Sequence, residues 1–133
     1  MNSSSQPSWS PSSFDPVVAL QRVGGDQELF GMAVELGISN LPKLIQRVVA
    51  ARTAHDVRDL GDAAHTLKGM VATFEATELR QLAAKVEGIA RSGKFEEAEK
   101  LVPELEEKAE VFSEELTEFA DRLESGDCLS LSN

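Results

Sequence analysis

The chain has 133 residues, 41% hydrophobic and 27% charged, which suits one domain with one core. Its formal net charge of -10 argues against nucleic acid or an anionic membrane as partner, since both require a basic surface. There is no apolar run of bilayer length and no secretory signal at the start, and Cys128 as the sole cysteine excludes an internal disulfide, so a cytoplasmic setting is expected.

Residues 1–13 are rich in Ser, Pro, Gln and Asn, with Trp9 the only large apolar side chain, and read as a flexible tail. Asp15-Pro16 then signals a helix start, an N-cap followed by proline at the first helical position. Val17, Val18 and Leu20 fit a short helix that Gly24-Gly25 stops. Asp26 can cap the next, with Leu29, Phe30, Ala33, Val34 and Leu36 as its apolar face. Gly37 and Pro42 interrupt this pattern. Either the helix kinks, or a new one starts with Ser39 or Asn40 as cap; the apolar spacing resumes at Leu41, Leu44, Ile45 and Val48.

Thr53 or His55-Asp56 opens a further helix, expected to run to about Ala76. Leu60, Ala64, Leu67, Val71 and Phe74 recur along it at alternating spacings of four and three, the one-face pattern of an amphipathic helix. The following helix reads Leu79, Leu82, Ala83, Val86, Ile89 and Ala90 and ends near Ser92-Gly93. Lys94 to Leu123 reads as one long last helix, which Pro103 either kinks or splits near Val102. Its many glutamates form a solvated face. Residues 125–133 read as a second flexible tail. With no alternating strand pattern and short connections, the expected fold is all-α: an up-down antiparallel four-helix bundle with an additional short N-terminal helix, spanning residues 14–124.

His65 falls just outside the apolar stripe. Its neighbours at helical spacing are Gly61, Lys68, Gly69 and Ala72. Glycine inside a helix costs roughly 1 kcal/mol relative to alanine, so two glycines flanking one histidine need a reason. One reason is access for a partner's backbone to an exposed imidazole; the other is close packing of two helices. His55 lies at a helix start, where capping or solvent contact is the default role. The chain carries no Gly-rich phosphate loop, hence no kinase ATP site, and no zinc-type ligand spacing or local Ser/His/Asp arrangement. No cofactor or metal is expected on it. A neutral imidazole can accept a phosphoryl group, given an exposed ring, a cation such as Lys68 and room for a donor.

His65-Thr66-Leu67-Lys68-Gly69, followed by Met70 to Phe74 and Ala76, resembles the signature of histidine-containing phosphotransfer (HPt) domains. Leu79, Leu82 and Val86-Glu87 resemble the family's second signature, a leucine followed by a Leu-Glu pair, and Gly93 closes that helix as in the family. The likeness covers roughly Phe14 to Glu124. It implies that His65 takes a phosphoryl group from the aspartyl phosphate of a receiver domain and passes it to another receiver. Lys68 would offset phosphate charge, and Gly61, Asp62, Gly69, Ala72 and Thr73 would face the partner. The expected partners are response-regulator receiver domains and a hybrid histidine kinase, with Mg2+ on the receiver, and the chain itself a monomer. A start at Met1 with no room for a kinase or receiver suggests a separate protein or an excised module. The alternative is a docking module of the same fold that binds a receiver or kinase without being phosphorylated; a purely structural bundle is the third. The chain departs from the family at Val86, where leucine is usual, and at Glu75, where glycine is frequent. Glu75 reads either as a substitution within the histidine helix or as added negative charge at the rim of the docking surface.

Overall fold

The computed structural model describes residues 9–125. Six helical segments and no strand occur among them: α1 (Pro16–Arg22), α2 (Gln27–Thr53), α3 (Val57–Ala72), α4 (Thr77–Arg91), α5 (Phe95–Glu99) and α6 (Val102–Ser125). The long helices α2, α3, α4 and α6 form the four-helix bundle. α2 packs on α3 and α6, α3 on α4, and α4 also touches α6. The short α1 leads into the bundle and α5 packs against α4.

Helix starts follow the capping residues. Asp15, Asp26 and Asp56 each accept a backbone N–H of their own first turn, at 3.1 Å from Val17, 3.0 Å from Leu29 and 2.9 Å from Asp59. The helix ends share one device. Gly24, His55, Glu75 and Gly93 all have positive φ, at 71°, 54°, 57° and 81°. The residue after each donates to a carbonyl five back: Gly25 to Leu20, Asp56 to Ala51, Ala76 to Val71 and Lys94 to Ile89. The positive-φ residue itself donates three back. This is the Schellman stop, which favours glycine because a side chain crowds the left-handed conformation. Glu75 is therefore not a helical substitution. α3 ends at Ala72 rather than near Ala76, and Glu75 occupies the left-handed position of its stop, paired with Arg22 of the α1 end. His55, in the corresponding place after α2, stacks on Phe95 with ring centroids 4.8 Å apart.

The two proline questions resolve differently. α2 runs unbroken through Gly37 and Pro42. Phe30, Val34, Leu41 and Val48 lie buried on one face on both sides of the proline, so burial along a continuous stripe outweighs a penalty of about 3 kcal/mol. Gly37 is a packing residue rather than a breaker: a Cβ there would sit 3.0 Å from Leu116 and 3.2 Å from Phe74. At the other end, the chain does break, at Lys100-Leu101. Pro103 then lies in the first turn of α6, where its missing N–H costs nothing.

Phe14, Phe30, Phe74, Phe112 and Phe119 meet in one aromatic cluster, with centroids 5.4 to 6.5 Å apart and mostly edge-on. Phe14 is buried in this cluster, and Trp9, Ser12 and Ser13, from the stretch expected as a flexible tail, contact the bundle. Trp9 packs on the bundle beneath the guanidinium of Arg122, 4.9 Å from the ring centroid. Ser12 and Ser13 donate from backbone and hydroxyl to Glu115 at 2.7 to 2.9 Å. Burial pushes the Glu115 carboxyl up, and these four bonds more than offset it, leaving it below its ordinary value. The remainder of the two expected tails, residues 1–8 and 126–133 with Cys128, lies outside the described residues.

The left-handed Glu75 yields a prediction. The exposed pair with Arg22 is worth about 0–1 kcal/mol, comparable with the strain of a side chain at positive φ. With the pair removed by Arg22→Ala, Glu75→Gly is expected to stabilise the fold by about 1 kcal/mol in thermal unfolding. A loss of stability in that background would show that Glu75 makes a packing contribution beyond the ion pair.

Candidate functional site

The buried stripe Leu60, Ala64, Leu67 and Val71 fixes the rotation of α3 about its axis. His65, one residue beyond Ala64, is thereby turned outward, and its side chain is 60% exposed. It leans toward α4. Its Nδ1 lies 2.8 Å from Oε2 of Glu87, whose own side chain is only 13% exposed. Lys68, one turn along α3, places Nζ 2.8 Å from the other oxygen, Oε1. Arg91, one turn along α4, donates from Nε to Oε2 at 3.1 Å and reaches back to Asp62 of α3 with Nη1, also at 3.1 Å. One carboxylate thus joins three basic side chains across the α3–α4 seam.

Electrostatics follow from this. The Lys68 hydrogen bond is the largest influence on Glu87; burial opposes it, and Arg91 and His65 add to it, so the carboxyl is pushed down to about 2. An ionised carboxylate can only accept. His65 Nδ1 must therefore carry hydrogen, and the neutral ring keeps its lone pair on Nε2. Nε2 has no protein partner among the described residues. Glu87 and Asp62 together raise the Arg91 pKa further, so the clamp stays charged. The arrangement can do one thing well chemically: present a nucleophilic ring nitrogen in a fixed tautomer, with a lysine near enough to meet an anion.

The expected docking residues separate. Gly69 is exposed, and a Cβ there would meet nothing within 4 Å. Thr73 is exposed, while Asp62 and Ala72 are half-buried. Gly61 is the correction. It is buried, and a Cβ there would lie 3.4 Å from Cγ of Arg91 and 3.5 Å from Cβ of Ala90. Buried against α4, it offers no surface to a partner. His55 lies at the far end of α3, roughly 12 Å along the axis from the level of His65.

A family model described as the Hpt domain matches residues 33–126. The chain belongs to the Hpt domain family. The match begins inside α2 and takes in the rest of that helix with all of α3, α4 and α6, so α1 and the Trp9–Asp15 segment precede it. Two solved structures share the fold at low identity. Histidine-containing phosphotransfer protein B (HptB) from Pseudomonas aeruginosa PAO1 is 19% identical, with a TM-score of 0.76 over 85% of this chain and 98% of that one. The HPT domain of the Hpt sensor hybrid histidine kinase from Shewanella is 14% identical, with a TM-score of 0.76 over 83% and 95%. No curated protein matches the sequence. As an Hpt domain the chain has a phosphotransfer role in two-component relays, where such domains interact with receiver domains and histidine kinases. No helix among the described residues is long and apolar enough to cross a membrane.

Glu87 and Arg91 are the residues that sequence reasoning left without a role. Glu87 stands in the second signature, yet nothing in the spacing along α4 points it at His65. The available signal was the separation of four between Glu87 and Arg91, an acid–base pair on one helix face.

The depressed Glu87 predicts a pH signature. A carboxyl whose folded pKa is about 2, below an ordinary 4.5, stabilises the fold fully above the ordinary value and loses that contribution as pH falls from about 4.5 to 2. The stability difference between wild type and Glu87→Gln is therefore expected to shrink across this window in denaturant titrations. A difference that stays constant from pH 6 to about pH 2 would mean the carboxylate is not held by its cations.

Proposed function

We propose that His65 is the phosphoacceptor and that the chain carries a phosphoryl group between receiver domains. The observation that carries this reading is the Nδ1–Glu87 hydrogen bond at 2.8 Å on a ring that is otherwise open. The lone pair of Nε2 attacks the phosphorus of a receiver's aspartyl phosphate. The Nε2–P bond forms, the P–O bond breaks, and the aspartate leaves as a carboxylate with the electron pair. The ring gains positive charge as its lone pair is donated, and Glu87 offsets it while Nδ1 keeps its hydrogen. Lys68 turns toward the phosphoryl oxygens. The same steps in reverse deliver the group to a second receiver. The Mg2+ that phosphoryl transfer draws on comes from the receiver, and a cytoplasmic monomer meets these needs.

The docking surface is the outer face of α3 around His65, with Gly69 open for close approach and Asp62, Ala72 and Thr73 beside it. An apolar stripe on α2 extends it. Leu29, Met32 and Leu36 are 46%, 60% and 62% exposed, at spacings of three and four. Arg47 lies on the same line of α2, about five turns beyond Leu29, and pairs with Asp59 of α3 at 2.7 Å, so this line borders α3. Exposed apolar side chains of this kind mark a binding surface for a partner.

Label transfer from a phosphorylated receiver domain tests the proposal. Wild type is expected to take up acid-labile, base-stable phosphate and His65→Gln none, with helicity unchanged because the ring is exposed. A receiver that binds the wild type without ever labelling it would instead identify a docking module. Gly69 gives a second test. Gly69→Ala is expected to stabilise the exposed helix by up to about 1 kcal/mol, whereas Gly69→Leu slows transfer at least tenfold by obstructing the receiver. Unchanged transfer in Gly69→Leu would place the docking surface elsewhere.

A further inference from the structure

The carboxylate of Glu87 has two tasks that conflict once a phosphoryl group arrives. Before arrival, Lys68 holds Oε1, while His65 and Arg91 share Oε2. A phosphoryl group on Nε2 brings about two negative charges and three acceptor oxygens, and Lys68 is the cation on its own helix within one turn of the ring. When Lys68 turns to the phosphoryl group, Oε1 loses its partner. A largely buried carboxylate left with only a ring N–H would be drawn out to solvent, away from Nδ1.

We propose that Arg91, anchored by Asp62, is the positioning residue that keeps Glu87 on the His65 ring after Lys68 has left for the phosphoryl group. This rests on His65 as phosphoacceptor. Three features of the geometry support it. Arg91 binds the same oxygen as His65, Oε2, so its hold is independent of the oxygen that Lys68 vacates. Its guanidinium is a rigid fork: with Nη1 fixed 3.1 Å from Asp62 on α3, Nε is set in place 3.1 Å from Glu87 on α4. Its aliphatic stem packs over Gly61, with Cγ 3.4 Å from where a Cβ would stand, which keeps the stem against α3. Asp62 stands three residues before His65 on α3, and its carboxylate is paired with Arg91. Asp62 and Lys68 from α3 with Glu87 and Arg91 from α4 thus form one chain of ion pairs that reaches His65 through Glu87.

The test compares wild type, Arg91→Ala, Arg91→Lys and Asp62→Ala, with phosphoramidate as the donor, whose P–N bond breaks and releases ammonia as Nε2–P forms. Phosphorus NMR follows the amount and decay of phosphohistidine, and nitrogen NMR of the His65 ring reports whether Nδ1 keeps its hydrogen at fixed pH. In the unphosphorylated state Arg91→Ala should resemble wild type, because Lys68 still holds Glu87. In the phosphorylated state the variant should lose the Nδ1–H signal, and its phosphohistidine should decay about tenfold faster. Arg91→Lys keeps the charge without the fork and should fall between, and Asp62→Ala should follow Arg91→Ala in direction. Decay and ring spectra equal to wild type in phosphorylated Arg91→Ala would overturn the proposal. So would equal damage before and after phosphorylation, which is the mark of a merely structural pair. If wild type takes no phosphoryl group on His65, the phosphoacceptor reading itself fails, an outcome separate from a labelled wild type with a silent Arg91 variant.

Discussion

A carboxylate with little access to water must keep its donors close, and Glu87 has three of them within 3.1 Å. Their positions tie the site to the bundle. Lys68 and His65 are on α3 and Arg91 is on α4, so the carboxylate holds its partners only while the two helices keep their distance and rotation. Gly61 lies in that seam, where a Cβ would make ordinary contact with Cγ of Arg91 at 3.4 Å and with Cβ of Ala90 at 3.5 Å. The ring tautomer, the lysine position and the helix contact are therefore parts of a single constraint. A change that separates α3 from α4 by a fraction of an ångström would reach the imidazole before it reached global stability.

The rest of the fold supplies the rigidity this requires. The rotation of α3 comes from its buried stripe, and its end is fixed by the stop at Glu75 and by Phe74 in the aromatic cluster. Phe74 touches elements from both ends of the chain: Phe14 before α1, Phe30 in α2 and Phe112 in α6. Asp15 adds a backbone bond to the Phe74 carbonyl at 3.1 Å. The segment from Trp9 to Asp15 thus acts on the end of the histidine helix, although it precedes the part of the chain matched by the family model. Residues outside the family match contribute to the placement of residues inside it.

What could be read from the sequence were relationships along one helix. The apolar stripe of α3, the aspartate caps and the outward histidine follow from spacings of three and four, and the structure places Leu60, Ala64, Leu67 and Val71 in the core. What could not be read were relationships across helices. Glu87 is 22 residues from His65, and no local pattern signals that its carboxylate turns to Nδ1 rather than to solvent. The left-handed stops at His55 and Glu75 escaped for a related reason. Glycine normally marks such a position, and here a stacked ring and an ion pair accompany side chains that glycine would spare. Pro42 left a kinked helix and a break both open because a local rule met a non-local gain: the penalty of proline is set by its own turn, while the burial that outweighs it is spread over α2.

The glycines within the helices show why composition alone cannot separate packing from function. Gly37, Gly61 and Gly69 carry similar intrinsic penalties. Gly37 accommodates Phe74 and Leu116, which a Cβ would meet at 3.0 to 3.3 Å, while Gly61 is buried against Arg91 and Ala90 at ordinary contact distances. Gly69 has open space where its Cβ would be, and alanine would fit there without displacing anything. A helix that keeps glycine at such a position forgoes about 1 kcal/mol with no return inside the molecule. Gly31 in α2 and Gly88 in α4 are equally open, so what distinguishes Gly69 is its place one turn from His65. Gly61 and Gly69 stand eight residues apart on the same helix, one buried against α4 and the other exposed, and the histidine lies midway between them.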